Sequence, residues 1–222
     1  MKQLIYENKN LSKIETEIEK VIDINDKHYL VLKENIFYPQ GGGQKGDIGI
    51  IKAEDKEYPI LTSIKNPDNP LEVLIQIPEH HLKENTEVTA IRDEEFRTKQ
   101  MRLHSALHLL HYVIEDLLGI TLEYPSISMI EKDGTALNRY ETDFINEDVV
   151  KDAFEKLKEE IALNKKMITY PDLEKEGYRY WEYEGYVIPC GGIHVDYASE
   201  IGNLSYEYHT KKNHKTIKLI LL

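Results

Sequence analysis

Two separate motifs of this chain carry between them four potential metal ligands. The single cysteine, Cys190, opens the motif Cys-Gly-Gly-Ile-His, which ends at His194. Far upstream, His104 and His108 lie four residues apart in an amphipathic stretch, and this spacing places both imidazoles on one face of an α-helix. Zinc prefers thiolate and imidazole ligands, and a Gly-Gly pair lets the backbone turn tightly around an ion. A fold that uses all four ligands must bring a helix and a glycine-containing loop together.

Each motif alone is weak evidence for a metal, because an HxxxH pair is more typical of packed or partly solvated side chains. Both motifs in a chain with one cysteine favour a single site that holds Zn²⁺. A zinc protease is disfavoured, because Ser105 stands where the general-base glutamate of HExxH should follow His104. A zinc site with a purely structural role is the more serious alternative.

The composition is that of a folded protein in a reducing compartment. With 222 residues, of which 41% are hydrophobic, the chain can bury a core of one large or two small domains. One cysteine excludes an internal disulfide, and no apolar run of signal-peptide length follows Met1. No stretch approaches the roughly 18 apolar residues of a membrane span. We therefore expect a cytoplasmic protein whose thiol stays reduced and available to a metal.

The net charge of −12 argues against sequence-blind adhesion to nucleic acid, which depends on many basic side chains. The charge is uneven, however, because no acidic residue follows Glu207. Basic residues crowd this last segment, namely Lys211, Lys212, His214, Lys215 and Lys218. The segment is either a solubilising hairpin or a patch that contacts phosphates.

The first part of the chain, up to residue 93, has the pattern of a β-rich domain. Short apolar or alternating runs predict strands at residues 28–32, 47–52, 58–64, 71–77 and 87–91. A turn cluster at 66–70 separates two of them. A small, mostly antiparallel, barrel-like domain or rolled sheet over residues 1–93 is the simplest arrangement.

Residues 94–222 have the pattern of an α+β domain. A helical period predicts a helix over 94–118 that stops at Gly119, and Asn146 is expected to cap a second helix that runs to about 164. Strand-like stretches lie at 126–131, 178–183, 203–209 and 216–222. We expect α+β architecture, with helices packed on an antiparallel sheet. No flexible linker lies near residue 93, so we expect the two domains to pack together with a ligand cleft between them.

A glycine-rich segment lies within residues 37–49 of the first domain. Its consecutive glycines, Gly41, Gly42 and Gly43, can expose backbone N–H groups, and Gln44 follows them with an amide donor and acceptor. Taken alone, such glycines are more typical of a hairpin tip. The segment lacks the Lys-Ser/Thr of a nucleotide phosphate loop, so that interpretation is rejected.

Four blocks of the sequence resemble a known family, the free-standing alanyl-tRNA editing proteins of the AlaX type, which are similar to the editing domain of alanyl-tRNA synthetase. Residues 37–49 resemble the family motif FYPxGGGQxxDxG, and residues 101–111, MRLHSALHLLH, resemble MRxHTATHLLH. Residues 184–195, EGYVIPCGGIHV, resemble a CGGTHV block, and residues 200–202 resemble the EIG that follows it. The four blocks occur in the same order and cover nearly the whole chain.

The resemblance implies a role for each matching residue. The residues that match the family's zinc ligands are His104, His108, Cys190 and His194. Residues expected in catalysis, through the polar pocket of the glycine-rich segment, are Gln44, Gly42 and Gly43. Residues expected to contact the substrate are Asn35, Gly41, Ile193 and Glu200. His111 also matches the family, and we expect it to pack behind the site rather than bind the metal.

Three departures from the family pattern concern the choice of substrate. Asn35 stands in place of a threonine linked to recognition of the serine hydroxyl, which leaves the choice between serine and glycine open. Ile193 replaces the threonine of CGGTH, and Ala198 and Ser199 replace Thr-Gly before Glu200. These changes are expected to reshape the pocket without removing the metal.

The implied reaction is zinc-dependent hydrolysis of the ester that joins a wrong amino acid to tRNA(Ala), chiefly serine, with glycine as a second candidate. The expected partner is mischarged tRNA(Ala), with no membrane and no DNA, and the oligomeric state is open. We expect the chain to be too short to hold an aminoacylation core as well, so editing in trans is expected. Alternatives are a zinc-stabilised tRNA-binding module without turnover, and editing of serine on threonine tRNA, which the block 41–44 disfavours.

Overall fold

The structure is a computed structural model that describes residues 1–222. The chain divides into two compact units. The first comprises Met1–Gly41 and Lys45–Thr98, and the second comprises Gly42–Gln44 and Lys99–Leu222. Gly42–Gln44 thus belong to the unit that contains most of the C-terminal sequence. No helix combines the length and the apolar character needed to cross a membrane.

The first unit is built almost entirely from strands. They are β1 (Lys2–Gln3), β2 (Lys13–Ile24), β3 (Lys27–Leu32), β4 (Glu34–Asn35), β5 (Gly49–Ala53), β6 (Lys56–Ile60), β7 (Thr62–Lys65), β8 (Val73–Ile77) and β9 (Glu87–Arg92). Seven of them form one antiparallel sheet in the order β6-β5-β9-β2-β3-β8-β7. The short strands β1 and β4 form a separate parallel pair.

Strand β2 joins the two halves of the seven-stranded sheet. Its first part, residues 13–17, pairs with β9, and its second part, from Ile18 onwards, pairs with β3. A shift of register between Ile18 and Lys20 marks an irregularity of the β-bulge kind, which bends a strand and increases its twist. The sequence analysis did not predict β2, although Ile14, Thr16 and Ile18 alternate with charged residues; the shift of register after Ile18 interrupts this period of two.

The predicted barrel is not confirmed, because the sheet does not close. Its two edge strands, β6 and β7, are consecutive in the chain and only Leu61 lies between them. No ladder of hydrogen bonds joins β6 to β7; β6 pairs with β5, whereas β7 and the connecting Leu61 N–H bond to β8. The single strand predicted at 58–64 is therefore two strands, each at one edge of an open sheet.

A buried ion pair holds the two ends of the glycine-rich segment, at Tyr38 and Asp47, within the first unit. Arg97 Nε donates to Asp47 Oδ1 at 2.6 Å, and both side chains are fully buried. Asp47 Oδ2 accepts a hydrogen bond from the Tyr38 backbone N–H at 2.7 Å, and the Arg97 guanidinium lies 4.9 Å from the centre of the Tyr38 ring. Burial raises the pKa of Asp47, and the positive charge of Arg97 opposes that rise. The pair thus lets a carboxylate remain inside an apolar core.

The second unit is α+β, as the sequence predicts. Its elements continue the numbering as α1 (Glu94–Leu118), which begins in the first unit, β10 (Ile127–Ile130), β11 (Thr135–Glu141), α2 (Glu147–Ala162), β12 (Met167–Pro171), β13 (Arg179–Tyr183), β14 (Tyr186–Pro189), β15 (Leu204–Lys211) and β16 (His214–Leu221). One antiparallel sheet has the order β10-β11-β16-β15, and another has the order β12-β13-β14. The sequence pattern did not predict β11, β12 or β14.

Both predicted helices are confirmed, with the expected signals at their ends. The Asp93 carboxylate accepts a hydrogen bond from the Phe96 N–H at 2.9 Å, which caps the start of α1. Gly119, at φ +65°, follows its last residue in the left-handed conformation that commonly ends helices. Asn146 Oδ1 accepts from Val149 N–H at 3.0 Å at the start of α2. These local interactions explain why the two helices were readable from the sequence.

We expect the Arg97→Met variant to lose about 3–5 kcal/mol of the free energy of unfolding, because the buried Asp47 carboxylate is left without its partner. Urea denaturation would measure this loss. Lys52→Met is a matched control, since it breaks the exposed pair with Glu57 and should cost at most about 1 kcal/mol. Equal losses in the two variants would contradict the importance of the buried pair.

Candidate metal centre and its cavity

The four predicted metal ligands come together in the second unit. His104 and His108 lie on α1, and Cys190 and His194 lie in the loop after β14. Their donor atoms all lie within 4.8 Å of one another. The Cys190 Sγ is 3.7 Å from His104 Nε2 and 3.4 Å from His194 Nε2. The predicted convergence of the helix and the glycine-containing loop is therefore present in the structure.

The chemistry of these donors fits a metal ion. Burial raises the pKa of the Cys190 thiol to about 11, so a nearby cation would be needed to favour the thiolate at neutral pH. Burial also holds the pKa of His108 well below its usual value, which leaves that imidazole neutral. His108 Nδ1 is buried and has no hydrogen-bond partner in the protein. The group of four residues could therefore hold a metal.

Ser105 orients one of these ligands. Its Oγ accepts a hydrogen bond from the Val195 backbone N–H at 3.2 Å and lies 3.1 Å from His194 Nδ1. When Nδ1–H donates to this oxygen, the lone pair of His194 Nε2 remains on the side of Cys190. In the sequence alone, Ser105 only disfavours a protease. Its contact with a histidine so distant in the chain could not be read from spacing.

Gly192 allows the loop to approach the helix. A Cβ added at this position would lie 2.2 Å from His104 Cε1, which is far inside van der Waals contact. The Gly192 N–H also donates to Cys190 Sγ at 3.3 Å. A Cβ added at the preceding Gly191 would meet nothing within 4 Å. Of the two glycines, only Gly192 is needed to bring the loop against the metal-binding helix.

Gln44 holds the same loop in place. Its side chain is buried, and its Nε2 donates to the carbonyls of Ile193 at 2.8 Å and Gln100 at 3.2 Å. Its Oε1 accepts from the Ile193 backbone N–H at 3.0 Å. Both ends of the amide are therefore bonded to the backbone of one loop residue. The contacts of Gln44 are those of a residue that positions the loop, and its predicted part in catalysis stays a prediction.

A cavity of about 490 Å³ adjoins the candidate metal centre within the second unit. Its lining includes His104, His108 and Cys190, together with Gly42 and Gly43 of the glycine-rich segment. Further lining residues, none of them predicted as ligands or catalytic groups, are Leu107, His111, Tyr124, Pro125, Ser128, Asn138, Ile188, Pro189 and Gly191. Such a volume is typical of pockets that bind small molecules.

Gly43 shapes one wall of this cavity. Its backbone is in the left-handed region, at φ +82°, and an added Cβ would lie 2.7 Å from the Ser128 carbonyl oxygen. The Gly43 carbonyl accepts a hydrogen bond from Ile130 N–H at 2.9 Å. These contacts explain why glycine stands at this position.

The other predicted substrate residues do not line the cavity. Asn35 is fully buried in the first unit, where its amide bonds with Phe37 and Gln3. The Gly41 carbonyl accepts from the Tyr38 hydroxyl in the same unit. Their predicted contacts with substrate stay predictions.

Ile193 and Glu200 lie in the second unit but also have structural contacts. The Ile193 side chain is buried, and its backbone is bonded to Gln44. The Glu200 carboxylate accepts from the N–H groups of Asp196 and Tyr197, which stabilises the short turn that follows. Their roles in substrate binding likewise stay predictions.

Comparison with known proteins places these features in context. The family described as tRNA synthetases class II (A) matches residues 2–96. The alanyl-tRNA editing protein AlaX-M of Pyrococcus horikoshii is 31% identical over 196 residues, which cover 83% of this chain and 82% of that protein. AlaX-L of the same organism is 30% identical, with 96% of this chain and 55% of the relative covered. An alanine–tRNA ligase of Alkaliphilus oremlandii is 28% identical over 78% of this chain and 22% of the ligase. The chain thus spans about half of AlaX-L and a smaller part of the ligase.

We expect Gly192→Ala to lower the metal content of the purified protein, because the added methyl group displaces the His104 ring. Gly191→Ala is the matched control and should retain the wild-type content, since its methyl group meets no neighbour. Elemental analysis after dialysis against a limited zinc supply would measure both, and Cys190→Ala would give the value for a lost ligand. Full metal content in Gly192→Ala would show that the close approach of the loop to His104 is not needed for metal binding.

Proposed function

Because the chain belongs to the family of AlaX-type alanyl-tRNA editing proteins, we propose that it is a trans-editing hydrolase that removes a wrongly attached amino acid from tRNA(Ala). Membership rests on 31% identity to AlaX-M over 82% of that relative's length. The bond to be broken is the ester between the amino acid and the terminal ribose. The observation that carries the proposal is the cavity that adjoins the four-residue donor cluster, since an ester must reach a polarising group away from bulk water.

We further propose that the ion held by His104, His108, Cys190 and His194 is Zn²⁺. The donor set of one thiol and three imidazoles is one that zinc favours among divalent metals. When bound, zinc would supply positive charge that orients and polarises the ester or a water molecule. The protein's contribution is to fix the ligands, through Ser105 on His194 and through the close approach of Gly192 to His104.

The rest of the proposed site is made of polar groups without full charge. Backbone N–H groups of Gly42 and Gly43 are candidates to stabilise an oxyanion, and the Ser128 hydroxyl, which donates its own proton to Asn138 Oδ1, is a candidate to accept a hydrogen bond from the amino acid. A pocket that hydrogen-bonds the serine hydroxyl leaves a polar group unpaired when alanine enters, and this penalty rejects the correct amino acid. Serine is therefore the proposed main substrate; glycine stays a second candidate on the sequence resemblance alone, since Asn35 is not part of the cavity lining.

A second candidate is a zinc-stabilised tRNA-binding module without turnover. Four protein ligands would complete a tetrahedral zinc site, and such closed sites are usually structural. The two candidates differ in their expected chemistry. Only the hydrolase releases an amino acid from the charged tRNA.

Deacylation assays would separate these candidates. We expect the zinc-loaded protein to release serine from seryl-tRNA(Ala) and to leave alanyl-tRNA(Ala) intact. Glycyl-tRNA(Ala) tests whether a chain with Asn35, where the family has threonine, also accepts glycine. Seryl-tRNA(Thr) tests the remaining alternative. Chelator treatment, and separately Cys190→Ala, should abolish release. Retained zinc without release from any charged tRNA would overturn the hydrolase and favour the binding module.

We expect Gln44→Leu to reduce the deacylation rate at least about tenfold with zinc retained, because the loop loses two hydrogen bonds while all four ligands remain. Gln40→Leu is a matched control in the same glycine-rich segment, since the Gln40 side chain is exposed. Single-turnover rates and bound zinc would be measured together. Loss of zinc in Gln44→Leu would mean that Gln44 maintains the metal centre itself.

A further inference from the structure

The cavity extends beyond the metal ligands to a pair of aromatic side chains, His111 and Tyr124, which we term the aromatic wall. His111 follows His108 by three residues on α1, so it lies about 4.5 Å farther along the helix axis. The two rings are 5.6 Å apart at an angle of 39°. Neither residue belongs to the donor cluster, so the proposed chemistry leaves this wall unexplained.

His111 has a buried polar atom that the protein does not satisfy. The residue is only 3% exposed, and its Nε2 has no hydrogen-bond partner. The nearest carboxylate oxygen, Glu115 Oε1, is 3.9 Å away, beyond hydrogen-bond distance, and accepts the Leu122 backbone N–H at 2.6 Å. A buried polar group without a partner is rare in proteins, and a bound ligand is one explanation for it.

A chain of hydrogen bonds sets the character of this atom. Asn138 Nδ2 donates to the Leu107 carbonyl and to the Tyr140 hydroxyl, both at 3.2 Å. The Tyr140 hydroxyl is 3.3 Å from His111 Nδ1 and, having accepted from Asn138, is free to donate its own proton there. Nδ1 is then an acceptor, and the proton of the neutral imidazole lies on Nε2. His111, which lines the cavity, therefore carries a hydrogen-bond donor without a positive charge.

Tyr124 offers an aromatic surface at the same wall. Its side chain is 60% exposed although it lies beside a buried histidine, and Pro125 follows it in the cavity lining. An exposed aromatic ring beside a cavity is the usual platform on which an unpaired base stacks. A base also carries ring nitrogens that accept hydrogen bonds, which complements the donor of His111.

We propose that the aromatic wall binds the adenosine at the 3′ end of the tRNA, with Tyr124 stacked on the base and His111 Nε2–H donating to an acceptor atom of the nucleoside. The inference rests on the proposed function, because it takes the metal centre as the place of the ester. The amino acid is attached to the ribose, so the nucleoside must lie next to that centre. The aromatic wall, one helical turn beyond His108, is a part of the same cavity that suits it.

The test is binding of a non-hydrolysable analogue in which serine is joined by an amide to 3′-amino-3′-deoxyadenosine. Calorimetry on the zinc-loaded protein would give the dissociation constant. We expect Tyr124→Leu to raise it about tenfold, through loss of stacking, and His111→Leu to raise it about fivefold, through loss of one hydrogen bond. His111→Gln, which keeps a side-chain donor, should restore part of the affinity.

Matched controls lie elsewhere in the second unit. Tyr178→Leu replaces a tyrosine of nearly equal exposure, 61%, and His209→Leu replaces an exposed histidine of β15. Both should bind the analogue as the wild type does. Zinc content and far-UV circular dichroism would show that each variant is folded, and Tyr124→Leu, at an exposed position, keeps the test valid if His111→Leu does not fold.

Binding and turnover separate this inference from the proposed function. Wild-type affinity in both Tyr124→Leu and His111→Leu would overturn the aromatic wall, even if seryl-tRNA(Ala) is hydrolysed. Equal losses in the control variants would overturn it as well. If the wall variants lose affinity while the wild-type protein leaves every charged tRNA intact, the hydrolase is wrong and the nucleoside site stands.

Discussion

The candidate site depends on the pairing of one buried amide with one loop residue. Gln44 bonds to both the N–H and the carbonyl of Ile193, and the adjacent Gly192 brings the loop against the His104 ring. Gln44 and the loop that carries Cys190 are thereby fixed to the same helix. Because buried backbone groups are costly to leave unpaired, this arrangement favours a single loop conformation. The donor cluster and the cavity follow from that conformation.

The cavity has an electrostatic character that the whole chain does not share. The chain carries a net charge of −12, yet no aspartate or glutamate lines the cavity. Its titratable groups include the Cys190 thiol, whose pKa burial raises, and His108, whose pKa burial lowers. A lining of neutral donors does not repel a developing oxyanion or a polynucleotide end, whereas carboxylates would. The acidic residues that produce the net charge of −12 lie outside the cavity lining.

The sequence analysis missed residues that affect the site indirectly, by holding other residues in position. Ser105 contacts His194, and Asn138 contacts Leu107, and the two partners of each contact are distant in the chain. Strand β2 was missed for a different reason, since the shift of register after Ile18 interrupts the period of two that marks a strand. The barrel-like arrangement was predicted from short apolar runs and a turn cluster, but these local signals do not determine which strands pair, and no ladder joins the edge strands β6 and β7.

The two helices, the α+β class of the second unit, the four donors and the family could all be read from the amino-acid sequence. These properties depend on local spacing, capping residues and short motifs, which are written in consecutive residues. Three other properties emerged only from the folded chain: Gln44 holds a loop, Asn35 is buried in the first unit, and His111 lines a cavity and has an unpaired nitrogen. Such facts depend on which distant side chains meet, and hydrogen bonds and burial between them are set by packing rather than by spacing.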